Sequence, residues 1–259
     1  MWKKISLMIV ILLLVSCATT PLGRKQLAFM PIEQMDVMGV QAFQTIKQET
    51  PAAPDSKVNL YVQCVTNSLL NTLQDSEEWE IVVFEDEAVN AFALPGRKIG
   101  VYTGLLAVAE NQDQLAAVIG HEIAHVLSNH GNERVSQQML VETGMELAQI
   151  IFSDPQSTTA QTVLGALGLG AQFGVILPFS RKHESEADEL GLQIMARAGF
   201  QPQEAVNLWV NMSKGSGEAP QEFMSTHPSH ETRINDLQSQ MSGAQQLYQQ
   251  AASHPNCRR

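Results

Sequence analysis

Apolar residues recur three and four positions apart at Met35, Met38, Phe43 and Ile46, and again at Val58, Tyr61, Val62, Val65, Leu69, Leu70 and Leu73. This spacing predicts two amphipathic helices, separated where Pro51 and Pro54 interrupt the pattern. Glu80–Glu85 is β-branched and aromatic, and Asn90–Leu94 and Lys98–Tyr102 flank Pro95-Gly96, so a hairpin within a small three-stranded sheet is expected. The helical period returns from Asn111, a candidate N-cap with Gln114 three residues on, through Leu115, Val118, Ile119, Ile123 and Val126 to about Asn129. Thr158–Phe179 is nearly long enough to span a membrane, but Gln161 and Gln172 lie inside it and no basic flank precedes it, so a buried helix is expected. Lys182–Ala198, Pro202–Met212 and Ser229 to about Tyr248 predict three further helices, with Gly199, Gly215 and Gly217 as stops. Long helices around one small sheet read as a mostly helical α+β fold.

The amino terminus has a different pattern. Lys3 and Lys4 precede an apolar run from Ile5 to Val15 that ends in Leu14-Val15-Ser16-Cys17. Eleven residues at about 1.5 Å each cover roughly half of a hydrocarbon core, so 1–16 reads as a secretory signal peptide and not as an anchor. The Leu-x-Ser-Cys junction resembles a bacterial lipobox, which implies acylation of Cys17 and a membrane attachment through it. Residues 17–31, with Thr19, Thr20, Pro21, Gly23 and Pro31, then read as a lipid-attached tether, and 32–259 as a single domain. Sixteen basic against 27 acidic side chains give a net charge of -11, which argues against nucleic acid as a partner and against attraction to anionic lipid. Three cysteines without a CxxC pair exclude a disulfide scaffold and a zinc ribbon.

His121-Glu122-Ile123-Ala124-His125 lies on the predicted helix with no proline or glycine between the histidines. Residues four apart share a helix face one turn away, so both imidazoles can hold one zinc. Glu122 is about 100° around the helix, beside the metal, in position to take a proton from zinc-bound water. Catalytic zinc takes three protein ligands and a water, so a third ligand must come from elsewhere. Glu184-Ser185-Glu186-Ala187-Asp188 opens a later helix. There Glu184 and Asp188 share a face, as ligand and supporting carboxylate, while Glu186 turns about 200° away. The bland alternative is a solvated acidic first turn favoured by the helix dipole.

With HEIAH, ESEAD and then His227-Pro228-Ser229 and Arg233, the chain resembles the zinc endopeptidases of the HtpX and CAAX-processing kind, including the lipoprotein branch typified by BepA and LoiP. Asn90-Ala-Phe-Ala-Leu-Pro-Gly96, Val101-Tyr-Thr-Gly-Leu-Leu106 and Leu177-Pro-Phe-Ser-Arg181 match in the same order, so the resemblance covers about 58–240. It implies a zincin-like gluzincin metallopeptidase. In that reading His121, His125 and Glu184 ligate one zinc, Glu122 is the base, and Asp188 orients a ligand histidine. His227 resembles a catalytic donor to the oxyanion and Arg233 a supporting residue, both outside the ligand set. It further implies that Asn90, Ala91, Phe92 and Ala93 form an edge strand that binds substrate backbone by strand addition. His130 reads as a cation near a helix C-terminus, His183 and His254 as surface residues, and His230 as a competitor of His227.

The expected function is zinc-dependent hydrolysis of misfolded or unassembled cell-envelope proteins. The rival is a zinc-stabilised chaperone or assembly factor for outer-membrane proteins that cuts rarely. The expected address is the periplasmic face of a Gram-negative outer membrane, because Ala18 is not the aspartate of inner-membrane retention. With Cys17 acylated in an oxidising compartment, Cys64 and Cys257 are the remaining pair for a disulfide. Palmitate labelling tests the first of these steps: the wild type is expected to take label and Cys17→Ala to take none, and equal labelling of both contradicts acylation.

Overall fold

The computed structural model describes residues 17–73, 78–151, 180–215, 223, 227 and 233–259. The expected signal segment 1–16 and the apolar stretch 158–179 lie outside the described residues, among which no helix is long and apolar enough to cross a membrane.

Two helices open the body as the periodicity predicts. The first, α1 (Ile32–Glu49), buries Met35, Gly39 and Phe43. The second, α2 (Ser56–Leu70), is capped by Asp55, whose side chain accepts from the Lys57 amide, and buries Tyr61, Val62, Val65 and Leu69. Strands β3 (Glu80–Phe84), β4 (Ala91–Leu94) and β5 (Lys98–Tyr102) form the small sheet. Its order is β3-β5-β4, with β4 and β5 the expected antiparallel hairpin and β3 joining β5 in parallel. Among the described residues β4 is therefore an edge strand of this sheet. On one sheet face Phe84 and Phe92 meet Phe43 of α1 and also Tyr102, with ring centroids 5.8 to 6.1 Å apart.

A short α3 (Leu105–Val108) leads into α4 (Gln112–Leu127), the centre of the molecule. Asn111 caps it, accepting from the amides of Asp113 and Gln114, while the Gln114 carboxamide turns back to the Glu110 amide. Every residue of α4 from Gln114 to His125 is buried. A helix covered all round needs neighbours on every side, and α2, β4, α6 (Arg181–Arg197) and α7 (Gln203–Gly215) supply them. Asn129, at φ 52°, turns the chain from α4 into α5 (His130–Ile151). The last helix, α8 (Arg233–Gln249), packs on α6 and α7.

The segment expected to be a tether is packed from its first residue. Strands β1 (Cys17–Thr19) and β2 (Lys25–Leu27) pair antiparallel, Cys17 against Leu27, and Thr20 and Gln26 are buried. Its polar, proline-containing composition resembles a linker because its partners are buried carboxylates and not an apolar core.

The carboxyl-terminal tail returns to the start of α4. Gln112 donates to the Pro255 carbonyl and accepts from the Cys257 amide, at 2.8 and 2.7 Å. Cys257 is bonded to Cys64 of α2, 193 residues away in sequence, as expected. A bridge closing so long a loop restricts the unfolded chain strongly, so Cys257→Ser is expected to lose about 2–4 kcal/mol of unfolding stability in denaturant melts. Two free thiols from Cys64 and Cys257 in unreduced, denatured protein contradict the bond.

Candidate metal centre

Helices α4 and α6 meet at Gly120 and Gly191. A Cβ on Gly191 would lie 2.8 Å from the His121 amide nitrogen, and one on Gly120 would lie 3.1 Å from the Gly191 carbonyl oxygen. Only glycine permits this approach, and it brings the inward face of α4, with His121 and His125, against that of α6, with Glu184 and Asp188. All four side chains are buried.

His121, His125, Glu184 and His227 each offer one donor atom, all within 4.8 Å of one another. His121 Nε2 is 3.0 Å from His125 Nε2, 3.3 Å from His227 Nδ1 and 3.4 Å from Glu184 Oε2. Glu184 Oε1 is 3.2 Å from His227 Nδ1 and 3.5 Å from His125 Nε2. Tetrahedral zinc with bonds near 2.05 Å separates its ligand atoms by about 3.3 Å, the spacing found here. Ring protonation points the same way. His121 Nδ1 donates to Asp188 Oδ1 at 2.9 Å, leaving a lone pair on Nε2 that faces His125 Nε2. Facing lone pairs repel unless a proton or a metal ion lies between them. Burial disfavours charge on His121, yet the Asp188 and Glu184 carboxylates prevail and raise its pKa to about 9. Burial likewise opposes ionisation of Glu184, but hydrogen bonds from His121 and His227 hold its carboxyl well below the usual range. The centre attracts positive charge, and its donor set suits zinc.

Arg233 locks the acidic side. From the start of α8 it donates to Glu184 Oε2 at 3.2 Å and Asp188 Oδ1 at 2.6 Å, with its guanidinium carbon 3.5 Å from the centroid of the Trp209 ring. Glu122 is buried, and burial raises its carboxyl above the usual range against the pull of His227 and His121. The Ala93 amide on β4 donates to this carboxylate, whose Oε1 accepts no hydrogen bond and lies 3.4 Å from His227 Nε2. The edge strand thus adjoins the expected base. Beyond it a cavity of about 280 Å³ opens between Leu94, Pro95, His125, Met35 and Gly39.

Three histidines sit elsewhere than expected. His227, expected outside the ligand set, offers Nδ1 as a fourth donor atom in the same group and stacks on Phe223. His130 does not end the metal helix as an exposed cation. It opens α5 fully buried, 2.9 Å from His125 Nδ1, and burial with the neighbouring His183 lowers its pKa to about 4. His183 is buried beside Glu133 Oε2 at 3.0 Å, whereas His254 is exposed as expected. Sequence reasoning missed Glu133, Trp209, Thr20 and Arg24 altogether. His230 lies outside the described residues.

The α+β fold is that of the zincin-like metallopeptidases, and its donor set suits one zinc. The chain belongs to Peptidase family M48, whose profile matches residues 56–241. It is 36% identical over 189 residues to the mitochondrial metalloendopeptidase OMA1 of Schizosaccharomyces pombe, covering 72% of this chain and 54% of that protein. To its Saccharomyces cerevisiae namesake it is 34% identical over 192 residues, covering 71% and 53%. To the β-barrel assembly-enhancing protease of Escherichia coli it is 25% identical over 233 residues, covering 86% and 47%. The chain spans about half the length of these relatives. The matches correct the expected address on a Gram-negative outer membrane, since the relatives of higher identity carry a mitochondrial name. They also widen the expected kinship beyond the HtpX and lipoprotein branches.

Gly191→Ala is expected to push α4 and α6 apart by a few tenths of an ångström and lower zinc affinity at least about tenfold in chelator competition. Glu184→Ala should leave the purified protein without stoichiometric zinc. Full zinc in Glu184→Ala moves the third ligand elsewhere.

Proposed function

We propose that this chain is a zinc-dependent endopeptidase that hydrolyses peptide bonds in extended segments of unfolded or misassembled proteins. The observation that carries it is the joining of an edge strand to a buried base: the Ala93 amide of β4 donates to the Glu122 carboxylate, one residue along α4 from His121. A substrate segment adds as a strand beside Asn90, Ala91, Phe92 and Ala93. Backbone pairing then supplies affinity with little dependence on substrate sequence.

His121, His125 and Glu184 would hold the metal, which when bound acidifies a water and polarises the scissile carbonyl. Asp188 fixes the His121 ring through Nδ1, and Arg233 fixes both Glu184 and Asp188. Glu122 takes a proton at Oε1, which accepts no hydrogen bond, and passes it to the leaving amine, and its burial favours a base of raised pKa. His227 Nδ1 lies in the same donor group, so a metal held by His121, His125 and Glu184 would keep a place for water only with the His227 ring turned away. Withdrawn, the ring keeps an N–H to donate to the oxyanion. Acylation of Cys17 is a separate proposal and fixes no particular membrane.

A second reading, a zinc-stabilised chaperone that holds clients on β4 and cuts rarely, is favoured by the same position of His227. Glu122→Gln decides between them. It is expected to keep zinc and to lower casein hydrolysis by at least about 100-fold, and substantial hydrolysis by this variant removes Glu122 from the mechanism. Unchanged suppression of client aggregation in the same variant supports the chaperone reading.

A further inference from the structure

A line of buried polar side chains runs from the metal centre to the amino-terminal hairpin. His125 Nδ1, the ring nitrogen turned away from the donor cluster, is 2.9 Å from His130 Nδ1. His130 Nε2 is 3.1 Å from Glu186 Oε2, and Arg24 Nε donates to the same oxygen at 2.6 Å. The Thr20 hydroxyl donates to Glu186 Oε1. The other two nitrogens of the Arg24 guanidinium fork onto Glu133 at 3.1 and 2.8 Å, and Glu133 also meets His183 Nε2 at 3.0 Å. Thr20, His130, Glu133, His183 and Glu186 are all buried, and Arg24 is about a quarter exposed. None of these residues has a place in the hydrolytic chemistry, and Thr20 and Arg24 fall outside the family match at 56–241.

Hydrogen-bond direction gives the line its meaning. An ionised Glu186 can only accept, so His130 carries its proton on Nε2 and presents a lone pair at Nδ1. His125 must then donate from Nδ1, which leaves Nε2 bare and aimed at the donor cluster. Ligating histidines generally donate their second nitrogen to a group that fixes tautomer and ring angle, and loss of that group weakens metal binding about 10–100-fold. His121 has Asp188 for this purpose. For His125 the fixing group is a histidine, and its acidic partner is held in turn by a residue far from the HExxH helix in sequence.

We propose that His130, Glu186 and Arg24 are positioning residues for the ligand nitrogen of His125, and that the hairpin of residues 17–27 is thereby a working part of the metal centre. The proposal rests on His125 being a ligand. The arginine is specific, because a planar fork engages Glu186 and Glu133 at once, whereas a lysine offers a single point of charge.

The test uses the full chain with Arg24→Gln, Arg24→Lys and Glu186→Gln, and His125→Ala as the ligand control. Zinc affinity is measured by chelator competition, the apo-protein thermal midpoint in parallel, and the cobalt(II) absorption spectrum as a report on ligand geometry. Zinc binding about 10–100-fold weaker in Arg24→Gln and Glu186→Gln, with altered cobalt bands and an intermediate Arg24→Lys, is the expected result. The milder Arg24→Lys provides a folded variant if Arg24→Gln does not fold. Wild-type zinc affinity and cobalt bands in the folded variants, with or without a lowered apo midpoint, overturn the proposal when His125→Ala has lost zinc. If His125→Ala itself keeps full zinc affinity, the ligand assignment beneath the proposal fails first.

Discussion

The close crossing of α4 and α6 at Gly120 and Gly191 is the constraint on which the rest depends. With a side chain on Gly191 reaching to 2.8 Å from the His121 amide, no other residue pair lets the two backbones come so near. The crossing places Glu184 beside two histidines that share one helix face, and Asp188 beside the back of His121. It also buries every group involved. Buried carboxylates, imidazoles and a guanidinium are costly unless each has a partner, so the site can exist only as a connected network.

That network has two flanks. On one, Arg233 ties Glu184 to Asp188 and rests on Trp209. On the other, Arg24 ties Glu186 to Glu133, behind His130 and His183. Each flank is an arginine between two acids, and each arginine comes from a segment remote from the HExxH helix. The donor cluster sits between them, and the Asp188 and Glu184 carboxylates raise the His121 pKa despite burial and the adjacent Arg233 guanidinium, a balance that favours a cation. The fold around the centre thus has two tasks, closing the helices on each other and supplying counter-charges from outside.

Much of this was legible in the residue pattern. The helices at 32–49 and 56–70, the hairpin at 91–102, the capped metal helix and the later acidic helix follow from periodicity and capping, which are local. The four-residue spacings of His121 with His125 and of Glu184 with Asp188 fixed shared faces in the same way. What escaped depends on contacts distant in sequence. The parallel pairing of β3 with β5 has no local signature, and residues 17–27 carry linker composition yet bind Glu186 and Glu133. His130 looks like a cation at a helix end and His183 like a surface residue because polarity alone does not reveal a buried partner. The expected address rested on a resemblance of residues 1–17 to one kind of sorting signal, which a local pattern alone carries.

X-ray absorption at the zinc edge of the loaded, full-length protein tests the central claim most directly. The account predicts one zinc per chain in a four-donor shell of nitrogen and oxygen only, at about 2.0–2.1 Å, with the outer-shell scattering of at least two imidazoles. A sulfur scatterer near 2.3 Å, or a six-oxygen shell without imidazole scattering, contradicts it.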